Sequence, residues 1–144
     1  MNKVIFLDID GVLNSTRSFI ANHPRDGDVP WKTVDERNIA TIDPIAVKLV
    51  NEIARRCEAE IVVSSTHRKW FYVSSGNMQL GPVVDLPSLI DYMHNLGISK
   101  DVIDATPVLS GEGRIRGDEI ALWLTKNPQV ENYVIFDDDS DMLP

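Results

Sequence analysis

A chain of 144 residues with 43% hydrophobic and 25% charged side chains is long enough for one domain with a buried core, and too apolar to be disordered. Its 22 acidic and 14 basic residues give a formal charge of -8 and a pI near 4.7, which excludes a global attraction to nucleic acid or anionic membrane and leaves only local basic patches. No apolar run reaches the roughly 18 residues of a membrane span, "MNKVIFLDIDGV" meets acid too early for a signal peptide, and the single Cys57 has no internal partner, so a soluble cytoplasmic protein is expected.

The first predicted strand is "KVIFLD", residues 3–8, a continuous apolar run of the kind buried on both faces of a parallel sheet. Residues 14–42, with "HPRDGDVPW", read as an irregular insertion near the site. Asp43 caps a helix with Pro44 in its first position, and Ile45, Leu49, Val50, Ile53 and Ala54 form an apolar stripe through to about Cys57, itself expected as a small buried hydrophobe. A second strand, "EIVVSS", covers 60–65. The stretch "HRKWFYVSSGNMQLGPVVD" reads as irregular and leads to a helix near 87–95 that Gly97 stops. A third strand, "DVIDAT", a glycine-rich loop, "LSGEGRIRG", and a helix over 117–126 follow, and a fourth strand, "NYVIFD", ends at Asp137.

Strands alternating with helices predict right-handed crossovers and a Rossmann-like, doubly wound parallel α/β sheet. Ligands of such sheets bind beyond the carboxyl ends of the strands, where strand order reverses. That edge would receive Asp8 and Asp10 from strand one, Ser64 and Ser65 from strand two, and Asp137 and Asp138 from strand four. Four carboxylates gathered there repel one another unless a cation balances them, and hard oxygen ligands without a His or Cys cluster point to Mg²⁺. Mg²⁺ held this way keeps positions open for phosphate. One carboxylate of the DxD pair can then attack phosphorus while the other protonates the leaving oxygen and later activates water, and Gly11 lets the backbone turn closely past the ligand.

"FLDIDGVLN", a strand ending in "VVSS", the basic entry to a helix in "RIRGDEI", and "FDDDSD" resemble, in order, the four motifs of the haloacid dehalogenase (HAD) superfamily. More narrowly, "DIDGVLN", "VVSSTHR", "RGDEIALWL" and "YVIFDDDSD" look like the small HAD domain of RNA-repair (Swiss Army Knife) proteins and its stand-alone bacterial and phage relatives. The resemblance runs over residues 3–141 and implies a Mg²⁺-dependent phosphatase with an aspartyl-phosphate intermediate. It assigns Asp8 as nucleophile, Asp10 as general acid/base with its main-chain carbonyl on the metal, Ser64 to the phosphoryl oxygens, Arg116 to the place of the family's lysine, and Asp137 and Asp138 to the metal. Arg114 competes with Arg116, which directly precedes the helix. The chain stops eight residues after Phe136, where similar proteins run on into a further helix and strand, so either the last edge strand is lacking or the sequence is clipped.

Bland readings stand beside these. A calcium loop starting at Asp8 would need Glu at position 19, where Phe19 stands. Ser65 and Arg68 are candidate substrate ligands with Gly11, His67 is a surface histidine by default, and Asp139 belongs to a solvated tail. Trp31, Trp70 and Trp123 are most simply core or loop anchors, with stacking on a base as the alternative for the first two. The insertion is too slight for a full cap, so an open, minimally capped site is expected. Arg17, Arg25, Lys32, Arg37, Arg68 and Lys69 concentrate positive charge in the two loops flanking it. The expected partner is a phosphorylated substrate, a nucleotide or a nucleic-acid end. The alternatives are a small metabolite phosphate, or a non-catalytic phosphate-binding or receiver-like module with Asp104 as acceptor.

Overall fold

Val4, Ile5, Phe6 and Leu7 are each at most 2% exposed, which only a strand covered on both faces allows. They lie in β1 (Lys3–Leu7), near the middle of a four-stranded sheet with β2 (Glu60–Val63), β5 (Val102–Ala105) and β6 (Asn132–Phe136), in the order β5-β2-β1-β6. All three pairings are parallel. The computed structural model describes residues 2–15, 17–18, 40–77, 79, 81–109 and 115–138. Most of the 14–42 insertion lies outside them, with Arg25, Trp31, Lys32 and Arg37, and so do Arg114 and Asp139.

Side-chain alternation along β1 divides the interior in two. Ile5 and Leu7 pack with α1 (Pro44–Cys57) and α2 (Leu86–Asn95), through Val47, Val50, Ala54, Leu89, Tyr92 and Met93. Val4 and Phe6 pack with Ile120 and Trp123 of α3 (Arg116–Lys126) on the opposite face. The chain steps outward from β1 to β2 to β5, then returns past β1 to β6. Strand order therefore reverses at β1, and the carboxyl end of β1 is where a ligand crevice is expected.

Helix α1 starts as its sequence dictates, with the Asp43 carboxylate accepting from the Ile45 N–H at 2.9 Å and Pro44 in the first turn. Its apolar stripe is only partly the buried one. Val47, Val50 and Ala54, spaced three and four apart, face the sheet, while Ile45, Leu49 and Ile53 are exposed, and so is Cys57. Periodicity offered two neighbouring apolar lines, and only the position of the sheet chose between them.

The stretch after β2 is ordered rather than irregular. Ser65 caps a 3₁₀-helix (Thr66–Phe71), which runs into β3 (Tyr72–Ser74) paired antiparallel with β4 (Pro82–Val84). Three-residue strands and a six-residue 3₁₀ turn are too short to leave a legible period.

On the α3 face, Phe6 meets Trp123 edge to face at 5.4 Å, and the indole N–H donates to Asp104 Oδ2 at 2.7 Å. Trp123→Ala would open a cavity and strand that carboxylate oxygen, so a loss of about 3–5 kcal/mol is expected in urea unfolding. Trp123→Phe, which restores the ring but not the donor, should lose less.

Candidate active site

Asp8 follows the last residue of β1, and its N–H donates to the Phe136 carbonyl of β6, so the carboxylate emerges where strand order reverses. It is 5% exposed. Its Oδ1 accepts from the Ile9 N–H at 2.8 Å and pairs with Arg116 Nη1 at 3.0 Å. Burial pushes the Asp8 carboxyl above its ordinary value, and the Arg116 guanidinium only partly offsets that.

Arg116 opens α3, and the same Nη1 lies 3.0 Å from Asp137 Oδ2, just past β6. One guanidinium nitrogen thus joins carboxylates from two strand ends. Asp138 completes a group of three, in which one carboxylate oxygen from each of Asp8, Asp137 and Asp138 lies within 4.8 Å of the others. Gly11, at φ +85, lies under the Asp138 carboxylate, which occupies the space a Cβ would need. Glycine is required here both for the backbone angle and for the approach.

The donor set fits a hard divalent cation. All three groups are carboxylates, and one guanidinium against three of them leaves two negative charges to balance, in a pocket where Asp8 and the Asp137 side chain are nearly sealed from water. Ser64 adds a second sign of an incomplete site. It follows β2, its N–H donates to the Leu7 carbonyl level with Asp8, and its fully buried hydroxyl has no hydrogen-bond partner among the described residues. Thr106, one strand over after β5, has a buried hydroxyl in the same condition.

Asp10 lies outside this group of three. Its side chain is 61% exposed, with Oδ1 accepting from Asn14 Nδ2 and Oδ2 meeting His67 Nε2, both at 3.0 Å. The hydrogen bond from His67, with a further one from Asn14, holds the Asp10 carboxyl down at about 2. An ionised carboxylate only accepts, so His67 carries its proton on Nε2 and meets the Tyr92 hydroxyl with Nδ1 at 2.9 Å.

His67 is therefore a correction to the sequence reading, being 6% exposed and a direct support of Asp10. Its contact spans 57 residues of sequence, beyond the reach of any local pattern. The 3₁₀ turn that delivers it also stacks it on Trp70, three residues on, at 4.7 Å.

Arg68 is the second correction. It is 1% exposed, its guanidinium donates to the carbonyls of Ser64, Ser65, Thr106 and Pro107, and it pairs with Glu119 at 2.7 Å. Every arm is committed to holding the 3₁₀-helix, the β5 exit and α3 together. Ser65 is likewise committed, its hydroxyl accepting from the His67 N–H as the helix cap. The receiver-like alternative loses its acceptor, since Asp104 is occupied by the Ala105 N–H and the Trp123 indole.

A family model described as "HAD domain in Swiss Army Knife RNA repair proteins" matches residues 4–144. The chain belongs to this HAD domain family. No curated protein and no solved structure matches it. The HAD family carries phosphatase-type hydrolases that typically use a metal ion, and the Asp8, Asp137 and Asp138 group is where this HAD domain could hold one. The parallel sheet flanked by helices is the Rossmann-like fold of the HAD family. Among the described residues of the HAD domain, no helix is long and apolar enough to cross a membrane.

Proposed function

We propose that this HAD domain is a Mg²⁺-dependent phosphomonoesterase that acts through an aspartyl-phosphate on Asp8, on the terminal phosphates of nucleotides or nucleic acids. The observation that carries the reading is the Asp8 carboxylate itself. It is buried at the point where strand order reverses, and its hydrogen bond from Ile9 and its pairing with Arg116 both fall on Oδ1. A carboxylate fixed by one oxygen presents the other in a defined direction, which is what in-line attack on phosphorus requires.

In the first half-reaction Asp8 Oδ2 forms a bond to phosphorus as the ester oxygen leaves, and Asp10 hands that oxygen a proton. In the second, water attacks the aspartyl-phosphate, Asp10 takes the water's proton, and inorganic phosphate departs with Asp8 restored. Asp10 rests ionised, the form the second half needs; an incoming dianionic phosphate ester raises its proton affinity for the first. Ser64 contributes a buried hydroxyl without a partner among the described residues, and Arg116 a charge beside both attacking and supporting carboxylates. Mg²⁺ on Asp8, Asp137, Asp138 and the Asp10 carbonyl would supply Lewis-acid neutralisation of the phosphoryl oxygens.

Support for a nucleic-acid end comes from the RNA-repair description of the family and from Lys69 and Arg116, which line an open cleft of about 170 Å³ with Thr66. The test is a panel of aryl phosphate, nucleoside monophosphates, sugar phosphates and oligonucleotides phosphorylated at the 3′ or 5′ end, assayed with Mg²⁺ and with EDTA. Turnover of a phosphorylated end, lost in EDTA and restored by Mg²⁺, is the expected result. Hydrolysis of sugar phosphates alone would transfer the enzyme to small-metabolite chemistry, and EDTA-resistant turnover would remove the metal.

A further inference from the structure

Trp70 is the one tryptophan among the described residues that faces solvent, at 55% exposure. An exposed aromatic side chain by itself needs no explanation. This one is held in place, however, because its ring stacks on His67 at 4.7 Å with 26° between the planes, and its edge meets Tyr92 at 6.3 Å. His67 is in turn fixed between Tyr92 and Asp10. The indole is therefore one imidazole away from the carboxylate that would meet the leaving oxygen.

The period of the 3₁₀-helix separates its two functional faces. Thr66 and Lys69, three apart, line the cleft with Arg116, while His67 and Trp70, also three apart, form the stack beside Asp10. A leaving group bound against Asp10 would pass the second face, which offers a flat, pre-oriented π surface. Flat aromatic heterocycles are what such a surface holds, with little ordering cost because the ring is already immobilised.

We propose that Trp70, on its His67 backing, stacks the base of the nucleotide that carries the scissile phosphate, and so sets a preference for base-bearing over abasic ends. This rests on the reading of the site as a nucleotide or nucleic-acid phosphatase and adds the residue that recognises the leaving nucleoside. Stacking contributes to any base, so the preference extends to all four, with purines ahead of pyrimidines through larger overlap. Trp70 is a binding residue on this reading, and His67 a positioning residue for both the indole and Asp10.

The experiment compares kcat and KM for a phosphorylated oligonucleotide with its normal terminal base against the same oligonucleotide abasic at that residue, in the parent, Trp70→Ala and Trp70→Phe. The parent is expected to favour the base-bearing end by about tenfold or more, mostly in KM, consistent with the usual worth of one base stack. Trp70→Ala should reduce that ratio at least fivefold, and Trp70→Phe should keep most of it. An equal loss on both substrates, or an unchanged ratio, overturns the proposal and leaves Trp70 as a prop for His67. A parent that hydrolyses both ends equally removes the platform while the nucleic-acid reading stands. A parent that hydrolyses aryl phosphate and neither oligonucleotide removes both.

Discussion

Asp8→Asn is expected to abolish Mg²⁺-dependent phosphate release, by a factor on the order of 10⁴ or more, because the amide cannot form the phosphorylated intermediate. The same substitution should leave the protein as stable as the parent or raise its melting temperature. The Asp8 carboxyl lies above its ordinary value of 3.8 because burial penalises the charged form more than Arg116 rewards it. Its contribution to stability is therefore fully present below pH 3.8, where the group is protonated in both states, and is lost as pH rises through the higher folded-state value. At neutral pH the ionised Asp8 is a cost that the fold carries for function, and a neutral isostere relieves it. Stopped assays of phosphate release and metal-free thermal melts at pH 7 measure the two effects together. Parental activity in the variant would remove Asp8 as nucleophile, and a lower melting temperature would mean that its pairing with Arg116 outweighs its burial.

Arg116→Ala should lower kcat/KM by about 10²–10³, the usual worth of one charged donor aimed at a reacting centre. A single nitrogen, Nη1, lies 3.0 Å from both Asp8 and Asp137, and removing it leaves their repulsion unopposed. The sign on metal binding is opposite. Three carboxylates without their guanidinium attract a divalent cation more strongly, so the Mg²⁺ concentration for half-activation should fall while turnover falls too. Arg116→Lys separates charge from geometry. Because one nitrogen makes both contacts, a lysine ammonium can replace it without the bidentate fork, and activity within about tenfold of the parent is expected. Mg²⁺ titrations of kcat/KM for the three proteins give both quantities. A higher Mg²⁺ requirement in Arg116→Ala would show that the guanidinium builds the metal site rather than competing with it.

The parts of the site that could be read along the chain are those attached to strand ends. Asp8 and Ser64 each follow a run of apolar residues that forms a buried strand, Asp137 follows the apolar run of the more exposed β6, and parallel strands bring their carboxyl ends to one edge. The supports of that site could not be read. His67 reaches Asp10 across 57 residues and Arg68 reaches Thr106 across 38, and nothing local distinguishes the buried histidine and arginine of "THRKW" from surface ones. Charge was the misleading cue. Arg68 looked like a phosphate ligand, yet Glu119, offered by α3 from the far side of the cleft, made a buried guanidinium affordable.

The sequence by itself determined the α/β class, the chain order of the parallel strands, the helix cap at Asp43, and the residues delivered to the ligand edge, because each depends on periodicity or on chemistry within a few positions. Only the tertiary structure decided which stripe of α1 is buried, that the segment after β2 is a 3₁₀-helix and hairpin, and that Asp10 is held by His67 across the sheet edge, outside the Asp8, Asp137 and Asp138 group. Those outcomes depend on which surfaces meet once the sheet has formed, and contacts between residues distant in the chain leave no period for a sequence to display.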